Sequence, residues 1–158
     1  MPSGNPEDLD VATIAVRGFH RRSKNDEVSP PVHLSTTFVS AGAPEPGDYT
    51  YARGDTPANA QIEPVLAALE SATDSVVFNA GIAAANAVFA EAGSGRAVVL
   101  PYDAYYGIRV RAERDLPPRG VDVRFVDQSD LGEVEKALDG AALLWVETPT
   151  NPLMGRHD

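Results

Sequence analysis

From residue 75 to residue 149, short apolar runs alternate with helix-length segments, and few folds accept that order. The runs are SVVFNA at 75–80, AVVLP at 97–101, VDVRFVD at 121–127 and ALLWVETP at 142–149. Between them lie GIAAANAVFAEAG, AYYGIRVRAERDL and SDLGEVEKALDG. Strands separated by single helices form βαβ units, so a mostly parallel sheet flanked by helices is expected. SVVFNA is predicted to be the first, buried strand of that sheet. In the third helix, Ser129 or Asp130 supplies the cap and Gly140 the stop.

The first 55 residues read differently. LDVATIAVRGFH at 9–20 carries Leu9, Val11, Ile14 and Val16 at helical spacing. RRSKNDEVSP is polar and loop-like. PPVHLSTTFVS opens on two prolines and predicts extended, irregular backbone. AGAPEPGD is turn-rich. The domain reading is therefore an N-terminal arm over 1–55 and an α/β domain over 56–158. That domain opens on TPANAQIEPVLAALE, with Thr56 as N-cap and Pro57 at the first helical position. Ile62, Val65, Leu66 and Leu69 form its apolar stripe, and Pro64 is predicted to interrupt the helix or displace its start.

Composition removes several function classes. The formal net charge is −10, which argues against nucleic-acid or anionic-membrane partners, since both need a basic surface. There is no cysteine, hence no disulfide framework, thiolate nucleophile or cysteine zinc site. His20, His33 and His157 lack the spacing of a metal-binding helix, so no metal is expected. The N-terminus is polar and acidic, unlike a signal peptide. No apolar run approaches the roughly 20 residues of a membrane span. A cytoplasmic location is expected.

In a parallel sheet, ligands sit at the carboxyl ends of the strands. The informative stretches are thus NAGIA, PYDAYYG, VDQSD and ETPTNP. NAGIA offers a glycine at a helix start, where free N–H groups can receive an anion. It is neither a dinucleotide fingerprint nor a P-loop. A plain tight turn explains it equally well. PYDAYYG presents Tyr105 and Tyr106, which could stack on a flat ring or simply cover the core. ETPTNP supplies an acid, an amide at Asn151 and two stiffening prolines. YTYARGDTP, at 49–57, is either a solvated strand face or an aromatic-arginine cluster with a use that the stretch alone does not identify.

Taken together and in this order, these stretches resemble the pyridoxal-phosphate-dependent enzymes of cysteine and methionine metabolism. The resemblance covers nearly the whole chain. ATIAVR and PPVHLSTTF resemble the family's N-terminal arm, and YTYARGDTP its Y-x-Y-S-R-x-G-N-P-T pattern. NAGIAA is similar to the [ST]-G-M-x-A turn and DAYYG to D-x-Y-G-G. FVDQSD looks like a segment of the synthases. ETPTNPL is similar to E-[ST]-P-[ST]-N-P, the most specific match. The fold implied is part of a fold-type-I pyridoxal-phosphate transferase domain, α/β with a mostly parallel sheet, preceded by an extended arm.

The resemblance also implies roles. Tyr51 and Arg53 correspond to residues that hold the cofactor phosphate of a neighbouring subunit. The planar fork of arginine and a phenol donor suit that task. The N–H groups of Gly81 and Ile82 correspond to the phosphate cup of the subunit's own site. Tyr105 corresponds to the tyrosine stacked on the pyridine ring, with a part in proton transfer. Asn151 corresponds to the asparagine beside the ring's phenolic oxygen. Thr56 and Ala58 depart from the family's Asn and Thr, Ala80 from its Ser or Thr, and Tyr106 from its first Gly. Val110 stands where a substrate-binding arginine is expected, leaving Arg109 and Arg111 on either side as substitutes.

The activity implied is trans-sulfuration, nearest to the cystathionine γ-synthases: γ-replacement on an O-acyl-homoserine by cysteine. Cystathionine γ-lyase or a related γ-lyase is the alternative, and a non-catalytic relic or partner-binding domain a second. The implied cofactor is pyridoxal 5′-phosphate, and the implied partners are small amino-acid substrates and further subunits, as a dimer or tetramer. That chemistry needs a lysine to hold the cofactor and an acid beside its ring nitrogen. The family carries both beyond the ETPTNP strand. Here the two lysines are Lys24, in the polar arm, and Lys136, expected to pair with Glu133 on a solvated helix face. These 158 residues are therefore expected to form an inactive N-terminal portion of such an enzyme.

Overall fold

The structure, a computed structural model, describes residues 9–17, 29–40, 42–43, 45 and 47–156. Lys24, His20, His157 and the predicted helix beyond Arg17 lie outside those residues. The chain divides into two compact units, Met1–Val77 and Phe78–Asp158.

In the first unit, α1 (Val11–Arg17) begins at Asp10, whose carboxylate accepts from Ala12 N–H at 2.8 Å. Ile14 is buried, while Val11 and Val16 are exposed. The helix packs on α2 (Pro57–Leu69). As expected, Thr56 caps α2, its hydroxyl accepting from Asn59 N–H at 3.1 Å. Pro64 sits inside α2 without ending it, contrary to the expected interruption. Pro64 and Ala60 both face solvent, so the Ala60 carbonyl, deprived of its i+4 donor, remains open to water. The buried stripe centres on Val65 and Ala67, and Leu66 is exposed.

The segment 75–80 is a correction to the expected first strand. It pairs with no strand among the described residues, and Val76 and Phe78 are exposed. Its backbone is tied to α2 instead. Ser75 Oγ donates to the Glu63 carbonyl at 2.7 Å, and Val77 N–H donates to Glu63 Oε1 at 2.9 Å. A side-chain acceptor has taken the place of a ladder partner.

The second unit follows the alternation closely. Its elements are α3 (Gly81–Ala90), β1 (Ala97–Pro101), α4 (Tyr106–Asp115), β2 (Asp122–Val126), α5 (Leu131–Ala137) and β3 (Ala141–Leu144). A 3₁₀ turn at Pro117–Arg119 follows α4. The sheet has three strands in the order β2-β1-β3, and both pairings are parallel. Every residue of the central β1 is buried, which explains its unbroken apolar run. Val98 and Leu100 meet Ala85 and Phe89 of α3 and Ile108 and Ala112 of α4 in one core cluster. Asp130 caps α5, accepting from Gly132 and Glu133 N–H at 2.9 and 3.1 Å. Gly140 follows the helix at φ +67°, a left-handed backbone that glycine adopts freely.

Two substitutions in α2 test this account in opposite directions. Thr56→Ala should lower stability by about 1 kcal/mol through the lost cap. Pro64→Ala should raise it by about 2 kcal/mol, the recovered helix bond outweighing the unfolded chain's extra freedom. Urea titration followed by far-ultraviolet circular dichroism measures both.

Candidate active site

The carboxyl ends of β1 and β3 and the first turns of α3 and α4 enclose an open cleft of about 450 Å³. Its walls are Ala80, Gly81, Ile82, Tyr105, Ile108, Trp145 and Glu147. Topology dictates the place: both strands run the same way, so both chain exits open on one side of the sheet.

At the α3 end, Ala80 is the N-cap, extended at φ −157° and ψ 146°, with no side-chain capping bond. An alanine there has no oxygen to satisfy the helix's first donors. Ala83 N–H bonds the Ala80 carbonyl at 2.9 Å, whereas Gly81 and Ile82 N–H meet no acceptor among the described residues. A Cβ built on Gly81 would touch nothing within 4 Å. The cleft therefore holds two unspent donors at the positive end of a ten-residue helix.

Across the cleft, Tyr105 is the N-cap of α4 and is half exposed. Its backbone N–H donates to Glu147 Oε2 at 2.8 Å. Glu147 Oε1 in turn accepts from Trp145 Nε1–H at 2.9 Å. The Trp145 ring packs against Phe89 at 5.3 Å between centroids. Beneath them, buried Gln128 donates from Nε2 to the Trp145 carbonyl at 2.8 Å and accepts from Glu147 N–H at 3.4 Å.

The structure brings Gly81, Ile82 and Tyr105 to one cleft. Asn151 lies in the following turn, exposed and apart from the lining residues. That turn is pinned by buried Thr150, whose Oγ1 accepts from Gly155 N–H at 2.8 Å. Arg109 and Arg111 project from α4 into ion pairs with Glu113 at 3.2 Å and Asp115 at 3.0 Å. Arg109 also donates to the Tyr102 carbonyl at 2.9 Å and lies 5.2 Å over the Phe125 ring. Glu147, Trp145 and Ile108 escaped the sequence reading as site residues. The acid opening ETPTNP was the available signal for Glu147, but nothing local shows that its partner is a backbone N–H 42 residues earlier.

Tyr51 and Arg53 belong to the first unit and form a preassembled pair. Arg53 Nη1 donates to Tyr51 Oη at 3.1 Å, and the guanidinium lies 4.3 Å over the ring. Among the described residues, Arg53 has no carboxylate partner, so its charge is available to an anion. A short antiparallel contact holds the pair in place: Thr37 bridges Tyr51, with Phe38 N–H on the Thr50 carbonyl at 3.2 Å and Ala52 N–H on Thr36 at 3.0 Å.

The expected Glu133–Lys136 pair does not form. Glu133 instead accepts from Tyr102 Oη at 3.3 Å and from Asp127 N–H at 3.2 Å. Its position in the first turn of α5 points it back toward the end of β2. The negative charge of Glu133 is the foremost cause raising the Tyr102 pKa above its ordinary value; burial, the Glu133 hydrogen bond and Asp127 add to it. The stability this contributes is present below the unfolded phenol's pKa of about 10 and is lost as pH rises through the higher folded value. Glu133→Gln should lower the ionisation midpoint of Tyr102, followed by NMR of ¹³Cζ-labelled tyrosine.

Comparison with known proteins sharpens what this cleft is. The family model for "Cys/Met metabolism PLP-dependent enzyme" matches residues 12–158. Cystathionine beta-lyase MetC of Bacillus subtilis is 31% identical over 151 residues, covering 92% of this chain and 39% of its own length. A probable cystathionine gamma-synthase of Herpetosiphon aurantiacus is 31% identical over 149 residues, covering 93% and 47%. The crystal structure of metB from Corynebacterium glutamicum superposes with a TM-score of 0.85 at 31% identity, over 98% of this chain and 41% of that one. The chain thus spans less than half the length of these relatives.

Proposed function

Since the chain belongs to the Cys/Met metabolism PLP-dependent enzyme family, we propose that its cleft receives pyridoxal 5′-phosphate as part of a trans-sulfuration enzyme. The observation that carries this reading is the pair of free N–H groups at Gly81 and Ile82 facing an aromatic wall at Tyr105. The donors suit a phosphate, the open space at Gly81 lets it approach the backbone, and the cleft volume suits a single ring. The bound cofactor supplies an electron sink for a carbanion on the substrate.

The chain's own residues bind and orient. Gly81 and Ile82 donate to the phosphate. The Tyr105 ring covers one face of the pyridine and excludes water from it. Asn151, in the turn after β3 and outside the cleft lining, is the candidate that would meet the ring's phenolic oxygen. Tyr51 and Arg53 clamp the phosphate of a neighbouring subunit, which makes residues 1–55 an arm and requires at least a dimer, or a tetramer. Arg109 and Arg111 are the candidates for the substrate carboxylate, at the expense of their ion pairs on α4. The substrates are small amino acids, and the location is cytoplasmic; among the described residues no helix is long and apolar enough to cross a membrane.

The reaction proposed for the full enzyme is γ-replacement on an O-acyl-homoserine by cysteine, as in the cystathionine γ-synthases. Similarity to curated cystathionine gamma-synthases supports it. Lyases match at the same level, including a Bacillus subtilis cystathionine gamma-lyase at 35% identity, so a γ-lyase is the second reading. Among the described residues no lysine lines the cleft, and these 158 residues alone should bind cofactor without turning over substrate.

Trp145 is the chain's single tryptophan and lines the cleft. Pyridoxamine 5′-phosphate, which has no aldehyde to react with lysines, should quench its fluorescence saturably, with inorganic phosphate competing. Gly81→Pro deletes one donor at a helix position that tolerates proline, after an already extended Ala80. It should weaken binding about tenfold, the worth of a charge-assisted hydrogen bond, while Gly81→Ala keeps the donor and binds more tightly than the proline variant. Equal affinity of wild type and Gly81→Pro would remove the phosphate cup from the account.

A further inference from the structure

We propose that Glu147 is a positioning residue that sets the Tyr105 ring against the cofactor, with Gly107 supplying the space the ring needs. This rests on the cofactor reading above and extends it to residues that bind no ligand themselves.

Glu147 joins two parts of the cleft distant in sequence. One carboxylate oxygen accepts the indole N–H of Trp145 on the β3 side; the other accepts the backbone N–H of Tyr105 at the start of α4. Both partners are donors, so the joint requires an acceptor at each end. A carboxylate has two acceptor oxygens, whereas an amide would turn an NH₂ group against one donor. The Glu147 backbone is itself held by buried Gln128. The Tyr105 main chain is thereby fixed to the sheet rather than left to the loop that carries it.

The ring direction is set one step further on. A Cβ at Gly107 would lie 2.7 Å from Tyr105 Cε1 and 3.4 Å from Cδ1. Any larger residue at 107 would push the ring aside. With its main chain fixed by Glu147 and its Cε1 edge set against the bare Gly107, Tyr105 is held where it lines the cleft with Gly81 and Ile82. Fixing the ring before the ligand arrives lowers the ordering cost of binding.

The test begins on the ligand-free chain. A through-hydrogen-bond coupling should appear between the Tyr105 amide nitrogen and the Glu147 carboxylate carbon in the wild type, and its absence would overturn the proposal. The Gly107 Hα resonances should be displaced from ordinary glycine positions by the Tyr105 ring current. Glu147→Gln should return them to those positions with the circular dichroism spectrum unchanged; a retained displacement would overturn the proposal. Gly107→Ala should move the Tyr105 ring resonances without lowering the melting temperature, since alanine is the better helix former.

Binding of pyridoxamine 5′-phosphate, by calorimetry, then separates positioning from general support. Glu147→Gln should weaken it by up to about tenfold, the upper worth of an aromatic contact. The same change in a Tyr105→Ala background should have no further effect. An equal loss in both backgrounds would mean that Glu147 does not act through Tyr105. If the wild type binds no pyridoxamine 5′-phosphate, the cofactor reading fails, while the ligand-free coupling and ring-current shift still decide the role of Glu147.

Discussion

Parallel pairing on both sides of β1 sets the rest of the second unit. With a parallel neighbour on each edge and α3 and α4 over Val98 and Leu100, all five residues of β1 are buried, and each connection crosses the sheet as a helix. The same direction of travel delivers every strand's carboxyl end to one side. PYDAYYG and ETPTNP are far apart in sequence, yet residues from both line one cleft because of that shared direction, and Ala80, Gly81 and Ile82 join them at the start of α3. Packing of Val98 and Leu100 against α3 and α4 fixes where those helices begin, and their beginnings are what the cleft uses.

The chemistry follows from what the residues at those exits lack. Ala80 has no capping oxygen, so the first N–H groups of α3 stay available. Gly81 has no side chain, so a ligand can reach them. Gly107 has none either, so the Tyr105 ring can bring its Cε1 edge close to the helix backbone there. Glu147 is the one charged side chain of the cleft lining, and both its oxygens are occupied by protein donors. In the first unit the logic is complementary: among the described residues Arg53 meets no carboxylate, and Tyr51 fixes its orientation. The two free donors and the free guanidinium thus sit on separate units.

Much of this was legible in the sequence because it depends on local chemistry. AVVLP reads as a strand from its short β-branched run, and it is one, buried along its whole length. Thr56, Asp130 and Gly140 carry helix boundaries in their own side chains or in the lack of one, and they act as read. The misreadings arise where a partner outside the local stretch decides the outcome. SVVFNA has strand composition, but Glu63 of α2 binds its backbone and no strand pairs with it. Pro64 weakens α2 without ending it, because tertiary packing of Val65 and Ala67 holds the helix and the freed Ala60 carbonyl faces water. Glu133 prefers Tyr102 and the Asp127 N–H to Lys136 because it lies at the start of α5. Glu147 was visible as an acid at a strand end, but its role depends on Tyr105 and Trp145, which only the fold brings to it.

The central claim is that the free N–H groups of Gly81 and Ile82 receive the cofactor's phosphate. Amide chemical shifts of the ¹⁵N-labelled chain, followed during addition of pyridoxamine 5′-phosphate, test it most directly. The account predicts that the Gly81 and Ile82 resonances move downfield together, saturating at one midpoint shared with the Tyr105 ring signals. Saturable binding that leaves both amides in place and moves residues elsewhere would contradict it.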